Sequence, residues 1–231
     1  MAKGRKEGFM DIRTAFHRRL KEIQNDVLAM ESMVEKALDR SIEALKNRDL
    51  KLAEQVINND KMINQQRYLI EEDCVELIAT QQPMASDLRT IVSVLSIVSE
   101  LERIGDHAEG IAKIVKMVGD EPPVKPLIDI PRMGEKTRDM LRRSLDAFVN
   151  RDACAARQIV TEDDEVDDLY DQVFRELLTF MIEDPKTITR ATRIIWVAHN
   201  LERSADRVTN ICERVVFTVT GKMEEIGASK Y

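Results

Sequence analysis

The sequence predicts an all-α chain built as two tandem three-helix bundles related by an internal repeat, six long helices in all. Three observations predict it. Only eight glycines and six prolines occur in 231 residues, about half the usual share. Neither type interrupts Phe9 to Gln82 or Glu135 to Asp184, and helices are the elements that use such lengths of chain without punctuation. The chain also repeats itself. An offset of 103 sets DRSIEALKNRD (Asp39 to Asp49) over RRSLDAFVNRD (Arg142 to Asp152), and an offset of 100 sets ELERIGDHAEGI over NLERSADRVTNI. The shift between the offsets implies a net loss of three residues, and a repeat of this length makes one bundle the structural unit.

From the N-terminus, a short tail over 1–11 with several Lys and Arg is expected to be disordered, and the first bundle to occupy 12–118. Its first helix ends near Asn47-Arg48-Asp49, its second runs to the QQPMASDLR segment, and its third carries the seam Val94, Val98, Leu101, Gly105, Ala108, Ala112 and Val115. Residues 119–131 hold four of the six prolines and read as a linker that no helix crosses. The second bundle, 132–221, has the same plan: a helix ending at Asn150-Arg151-Asp152, a long second helix, and a third. The seam of that last helix is Ile194, Ala198, Leu201, Ala205, Val208, Cys212, Val215 and Val219. Alternating steps of four and three are those of a bundle core. Residues 222–231 form a second tail.

Composition excludes several function classes. The longest apolar run, Ile91 to Val98, is broken by serines and is too short to span a bilayer, and no apolar segment succeeds the basic start. The cysteines Cys74, Cys154 and Cys212 are scattered within helical patterns, which suits core residues in a reducing compartment. A cytoplasmic protein is expected. The formal charge of −7, with no concentrated basic surface, argues against a nucleic-acid partner.

Chemistry is concentrated in acidic stripes. With Glu202 as origin and 100° per residue, Asp206 falls at about 40°, Asn210 at about 80° and Glu213 at about 20°. His199 shares the arc and is the one histidine placed as a candidate ligand; His17 and His107 read as surface or packing residues. In the first half Glu102, Asp106 and Glu109 hold the equivalent arc, with Gly110 and Lys113 where Asn210 and Glu213 stand. The second half therefore carries the fuller set. Seven of the ten residues from Glu162 to Asp171 are acidic, a density that weakens a helix unless it is compensated. Asp163 and Asp167 are i,i+4 neighbours there, and their counterparts are Asp60 and Asn64. Acidic pairs are common on solvated helix faces, but LER-x-x-D recurs in register in both halves. Carboxylates and an amide without thiolate suit magnesium, manganese, calcium or iron rather than structural tetrahedral zinc. Arg103 and Arg203 are the alternative partners for these acids.

Enzymatic readings lack their residues. A di-iron oxidase needs Glu-x-x-His on facing helices, yet Thr14, Ile104 and Trp196 precede the three histidines by three. No G-x-S-x-G, P-loop or Cys with an adjacent base is present. A purely structural helical adaptor accounts for everything but the stripes.

The doubled LER-x-x-D (LERIGD from Leu101, LERSAD from Leu201), QQPMASDLR after the second helix and the D-x-x-x-[ND] pair on it resemble the PhoU family of phosphate-transport accessory proteins, from about Phe16 to Gly221. The resemblance implies two three-helix bundles and frequent dimerisation. It implies multinuclear metal sites, with iron first and manganese, zinc or magnesium as further candidates. The ligands carried over are Glu102, Asp106, Glu202, Asp206, Asn210, Glu213, Asp60, Asn64, Asp163 and Asp167. It also implies a non-enzymatic negative regulator of phosphate uptake and of the phosphate-starvation response. Such a protein contacts the ATPase of the phosphate ABC transporter and a sensor histidine kinase, and meets the membrane only through these partners.

Overall fold

The computed structural model describes the backbone of residues 2–227 and the side chains of residues 14–227. Seven α-helices appear among them: α1 (Ala2–Asn47), α2 (Leu50–Gln81), α3 (Ser86–Val118), α4 (Asp129–Asn150), α5 (Ala153–Val160), α6 (Asp163–Glu183) and α7 (Ile188–Thr220), with a 3-10 turn over Pro185–Thr187. The two bundles are α1–α3 and α4–α7. In backbone, residues 2–11 of the expected tail belong to α1. The side chains of that tail, and residues 228–231 of the other expected tail, lie outside the described residues.

The repeated Asn-Arg-Asp is a device that stops one helix and starts the next. Arg48 and Arg151 take positive φ of 55° and 54°, and the amides of Asp49 and Asp152 bond back to Ala44 and Ala147 at 2.9 Å, which closes the preceding helix. Each Asp then caps the next helix. Asp49 accepts from the amides of Lys51 and Leu52, and Asp152 from those of Cys154 and Ala155, satisfying N–H groups that a helix start leaves open.

Two departures from the expected elements have local causes. The second helix of the second half is broken into α5 and α6 by Thr161 and Glu162, whose amides fold back on Gln158 and Ile159. The break puts Asp163, Asp164 and Glu165 in the first turn of a new helix, where the positive end of the dipole offsets their repulsion. Arg143 and Lys136 pair with Glu162 beside it. α4 starts at Asp129, inside the expected linker, because Pro131 in a first turn needs no N–H partner.

Helices α2, α3, α7 and α6 lie side by side in that order, backed by α1 and α4. α3 and α7 run antiparallel down the centre: Thr218 Oγ1 donates to Ser93 Oγ at 2.7 Å, while further along both helices His107 meets Asn200, 3.3 Å apart. The predicted seams are buried in both helices apart from Val219, near the end of α7, which is 40% exposed. Ile23, Val27, Met30, Val34 and Leu38 of α1 fill the space beneath, each contributing about 1.5–3 kcal/mol by burial. Cys74 and Cys212 are buried as expected. Cys154 is exposed, since it sits in the first turn of α5 beyond the cap rather than on a core face. No described helix is long and apolar enough to cross a membrane.

Candidate metal centres

Each half sets its acidic stripe in the groove between its last helix and the helix beside it, α2 against α3 and α6 against α7. The first groove is tight because Gly105 has no side chain. A Cβ there would stand 3.1 Å from Ile63 Cδ1 and 3.6 Å from Asp60 Oδ1. Asp60, only 9% exposed, is thereby held against α3, and Asp60, Asp106 and Glu109 bring one carboxylate oxygen each within 4.8 Å of one another. Asn64 Nδ2 donates to Asp60 Oδ2 at 2.9 Å, which steadies the carboxylate. Glu102 faces the same groove but is held by Arg67 at 3.1 Å; this arginine, not Arg103, answers its charge. Lys113 reaches Glu109 at 2.5 Å.

In the second half, Asp163 and Asp167 of α6 face Glu202 and Asp206 of α7, as the mutual repulsion acting on Asp163 shows. Arg203 binds Asp206 at 2.5 Å, Asn210 Nδ2 donates to Glu100 Oε2 at 3.3 Å, and Glu213 Oε1 accepts from the Ile226 amide at 3.1 Å. His199 Nδ1 stands 3.4 Å from Glu202 Oε2 without hydrogen-bond geometry. Among the described residues, three-carboxylate convergence occurs at Asp60, Asp106 and Glu109, although the second groove, with Asp163 and Asp167 opposite the stripe, has one more acid. Its acids are spread by these partners. Glu109 lies in the arc that spacing defines but outside the ligand set carried over, because its repeat counterpart is Thr209. Its position three residues after Asp106 and seven after Glu102 is the signal that could have found it.

The electrostatics of both grooves ask for a cation. Asp60 Oδ1, Asp163 Oδ1 and Glu202 Oε2 are buried and accept no hydrogen bond, which costs the full desolvation of each atom. Burial, with repulsion from Asp106, Glu109 and Glu102, pushes the Asp60 carboxyl up to about 6. Burial, with Asp167, Asp206 and Glu202, pushes Asp163 up to about 7. Burial and Asp206 do the same to Glu202, against the opposing pull of Arg203. Asp106 is raised by burial and Glu102. Orphaned oxygens, hard donors and mutual repulsion fit a bound hard cation, which would supply the missing partner.

The chain matches the PhoU domain family twice, over residues 27–115 and 130–215. It is 40% identical over 215 residues to a phosphate-specific transport system accessory protein PhoU homolog of Clostridium acetobutylicum, covering 93% of this chain and 98% of that protein. It is 38% identical over 209 residues to the phosphate-specific transport system accessory protein PhoU of Escherichia coli, covering 90% and 86%. Two crystal structures superpose with TM-scores of 0.85: the phosphate transport system regulatory protein PhoU from Streptococcus pneumoniae, 33% identical and covering 91% of this chain and 99% of that one, and PhoU from Pseudomonas aeruginosa, 38% identical and covering 90% and 100%.

Proposed function

The chain belongs to the PhoU family, and from that premise we propose that it is a metal-dependent, non-enzymatic negative regulator of phosphate uptake and of the phosphate-starvation response. Its relatives are named as accessory and regulatory proteins of phosphate transport. It acts in the cytoplasm as a homodimer, by contact with the ATPase subunit of the phosphate ABC transporter and with a sensor histidine kinase. The observation that carries the metal part is the set of three buried, unpartnered carboxylate oxygens lying in both repeats. Asp60, Asp106 and Glu109, with Asn64 orienting Asp60 and Glu102 at the rim, hold the first centre. Asp163, Asp167, Glu202 and Asp206 hold the second, which Asn210 and Glu213 extend.

A bound ion supplies positive charge and open coordination positions. The protein's own residues then do two things: they tie α2 to α3 and α6 to α7 through carboxylates that otherwise repel, and they present a charged groove to a partner. Iron is the first candidate, then manganese, zinc and magnesium.

Elemental analysis of protein purified without chelator or nickel tests the reading, beside Asp60→Ala/Asp106→Ala and Glu202→Ala/Asp206→Ala variants prepared identically. Bound iron, manganese, zinc or magnesium that falls in each variant supports it. Negligible metal in all three, persisting after reconstitution with ferrous or manganous ion, refutes it and leaves an adaptor that works through helix surfaces. Retention of the transporter ATPase on the immobilised protein, lost on chelation and restored by metal, is the expected behaviour of the partner contact.

A further inference from the structure

Beyond Thr220, residues 221–227 stay against the molecule. Gly221, at φ 74°, closes α7, and residues 222–227 turn back beside α7 toward α5. Arg157 holds Glu224 at 2.7 Å, and Arg214 Nη1 lies 3.0 Å from Met223 Sδ. The Ile226 side chain packs on the core, and a Cβ on Gly227 would stand 3.0 Å from Val160 Cγ1. The segment forms one wall of a cavity of about 730 Å³ whose other walls include Asp163, Asp206, Asn210 and Glu213. Its Ile226 amide occupies Glu213 Oε1.

These contacts account for an otherwise odd asymmetry. The half with more acids is the half whose acids do not converge, and one of those acids is tied to a backbone amide of the returning chain. We infer that residues 222–227 are a strap that regulates cation entry to the second centre: closed, it walls the groove and holds Glu213 on the Ile226 amide; lifted, it opens the groove and frees Glu213 to turn toward Asp163, which lines the same cavity. The inference rests on the metal-dependent function proposed for both grooves. In the first centre Lys113 stands at the position of Glu213, so the two centres load differently. The contacts that hold the segment to the rest of the molecule are mostly exposed: the Arg157–Glu224 ion pair, the Ile226 amide on Glu213, the Arg214–Met223 contact and the Ile226 side chain. A strap held this way opens often, and it lowers the apparent affinity of the site by the fraction of time it is open.

Manganese(II) binding, monitored by loss of the free-ion electron paramagnetic resonance signal and by stopped-flow mixing, tests this. An Asp60→Asn/Asp106→Asn background leaves the second centre alone, and an Asp163→Asn/Glu202→Gln background leaves the first. Ending the chain at Gly221 is expected to tighten and speed binding in the former by about tenfold, which corresponds to a closed-strap preference of about 1.4 kcal/mol, and to leave the latter unchanged. Ile226→Pro in the full chain removes the amide donor together with the apolar anchor and should move the second centre in the same direction, which guards against a truncated chain that fails to fold. Manganese(II) bound with the same affinity and rate with and without the strap overturns the strap and leaves the metal reading standing. No manganese(II) bound by the unmodified chain overturns both.

Discussion

Replacing Glu202 by Gln should make the metal-free protein more stable, and only at neutral and alkaline pH. The carboxyl is 18% exposed, its Oε2 has no hydrogen-bond partner, and burial and Asp206 push it from 4.5 up to about 7. A carboxyl whose folded-state value lies above its unfolded value favours the folded chain below about 4.5, and that contribution disappears as pH rises through about 7. At ~1.4 kcal/mol per unit the rise amounts to no more than ~3.5 kcal/mol; remaining solvent contact and the nearby Arg203 reduce this to about 1–2 kcal/mol. Urea unfolding of chelated protein from pH 4 to 8.5 reads the effect. The Gln variant and the parent should coincide near pH 4 and diverge between pH 4.5 and 7, with the variant ahead by about 1–2 kcal/mol above pH 7 at an unchanged urea dependence. Manganese(II) should then reverse the order at pH 8 by stabilising the parent more than the variant. A parent as stable as the variant at pH 8 without metal would show that the groove relieves its own charge, and the case for a cation would lose its physical basis.

Other sites give equally direct expectations. Glu31 is 8% exposed on α1 beside Arg142 and Asp146 of α4, with Oε1 unpartnered, and burial, with Glu35 and Asp146, pushes it up to about 7; Glu31→Gln should raise stability by about 1–2 kcal/mol at pH 8 and leave it unchanged near pH 4, read by thermal unfolding. Asp152→Ala removes the acceptor of the Cys154 and Ala155 amides and should cost about 1 kcal/mol in urea unfolding, with a similar cost for Asp49→Ala in the other half. Leu101→Ala, at a fully buried seam position, should cost about 2–5 kcal/mol, whereas Val219→Ala should change stability by no more than about 0.5 kcal/mol; equal losses would show that the seam of α7 runs to its end.

Much of the fold is legible because helices write their packing into local spacing. The seam of α3 and most of that of α7 can be read from alternating steps of three and four, and the repeat locates the helix ends at Asn-Arg-Asp, where left-handed arginines and aspartate caps make the junctions. The break between α5 and α6 is not legible. Thr161 and Glu162 contain no proline or glycine, and the break is decided by where seven clustered acids can best be compensated, which involves Arg143 and Lys136 of α4. Cys154 misleads for a related reason: a helical pattern shows which residues share a face, not how much of that face a short helix buries.

For the grooves, the sequence by itself determined which side chains share a stripe, since the angle between Glu202 and Asp206 or between Glu102 and Asp106 comes from helix geometry alone. It also determined that both halves carry one, through the repeat. Only the tertiary structure decided which carboxylates converge. Gly105 lets α2 approach α3 until Asp60 meets Asp106 and Glu109, while Arg203, Glu100 and the Ile226 amide draw Asp206, Asn210 and Glu213 apart. Convergence depends on the distance between helices and on competing partners from distant parts of the chain, and neither is encoded in the spacing along one helix.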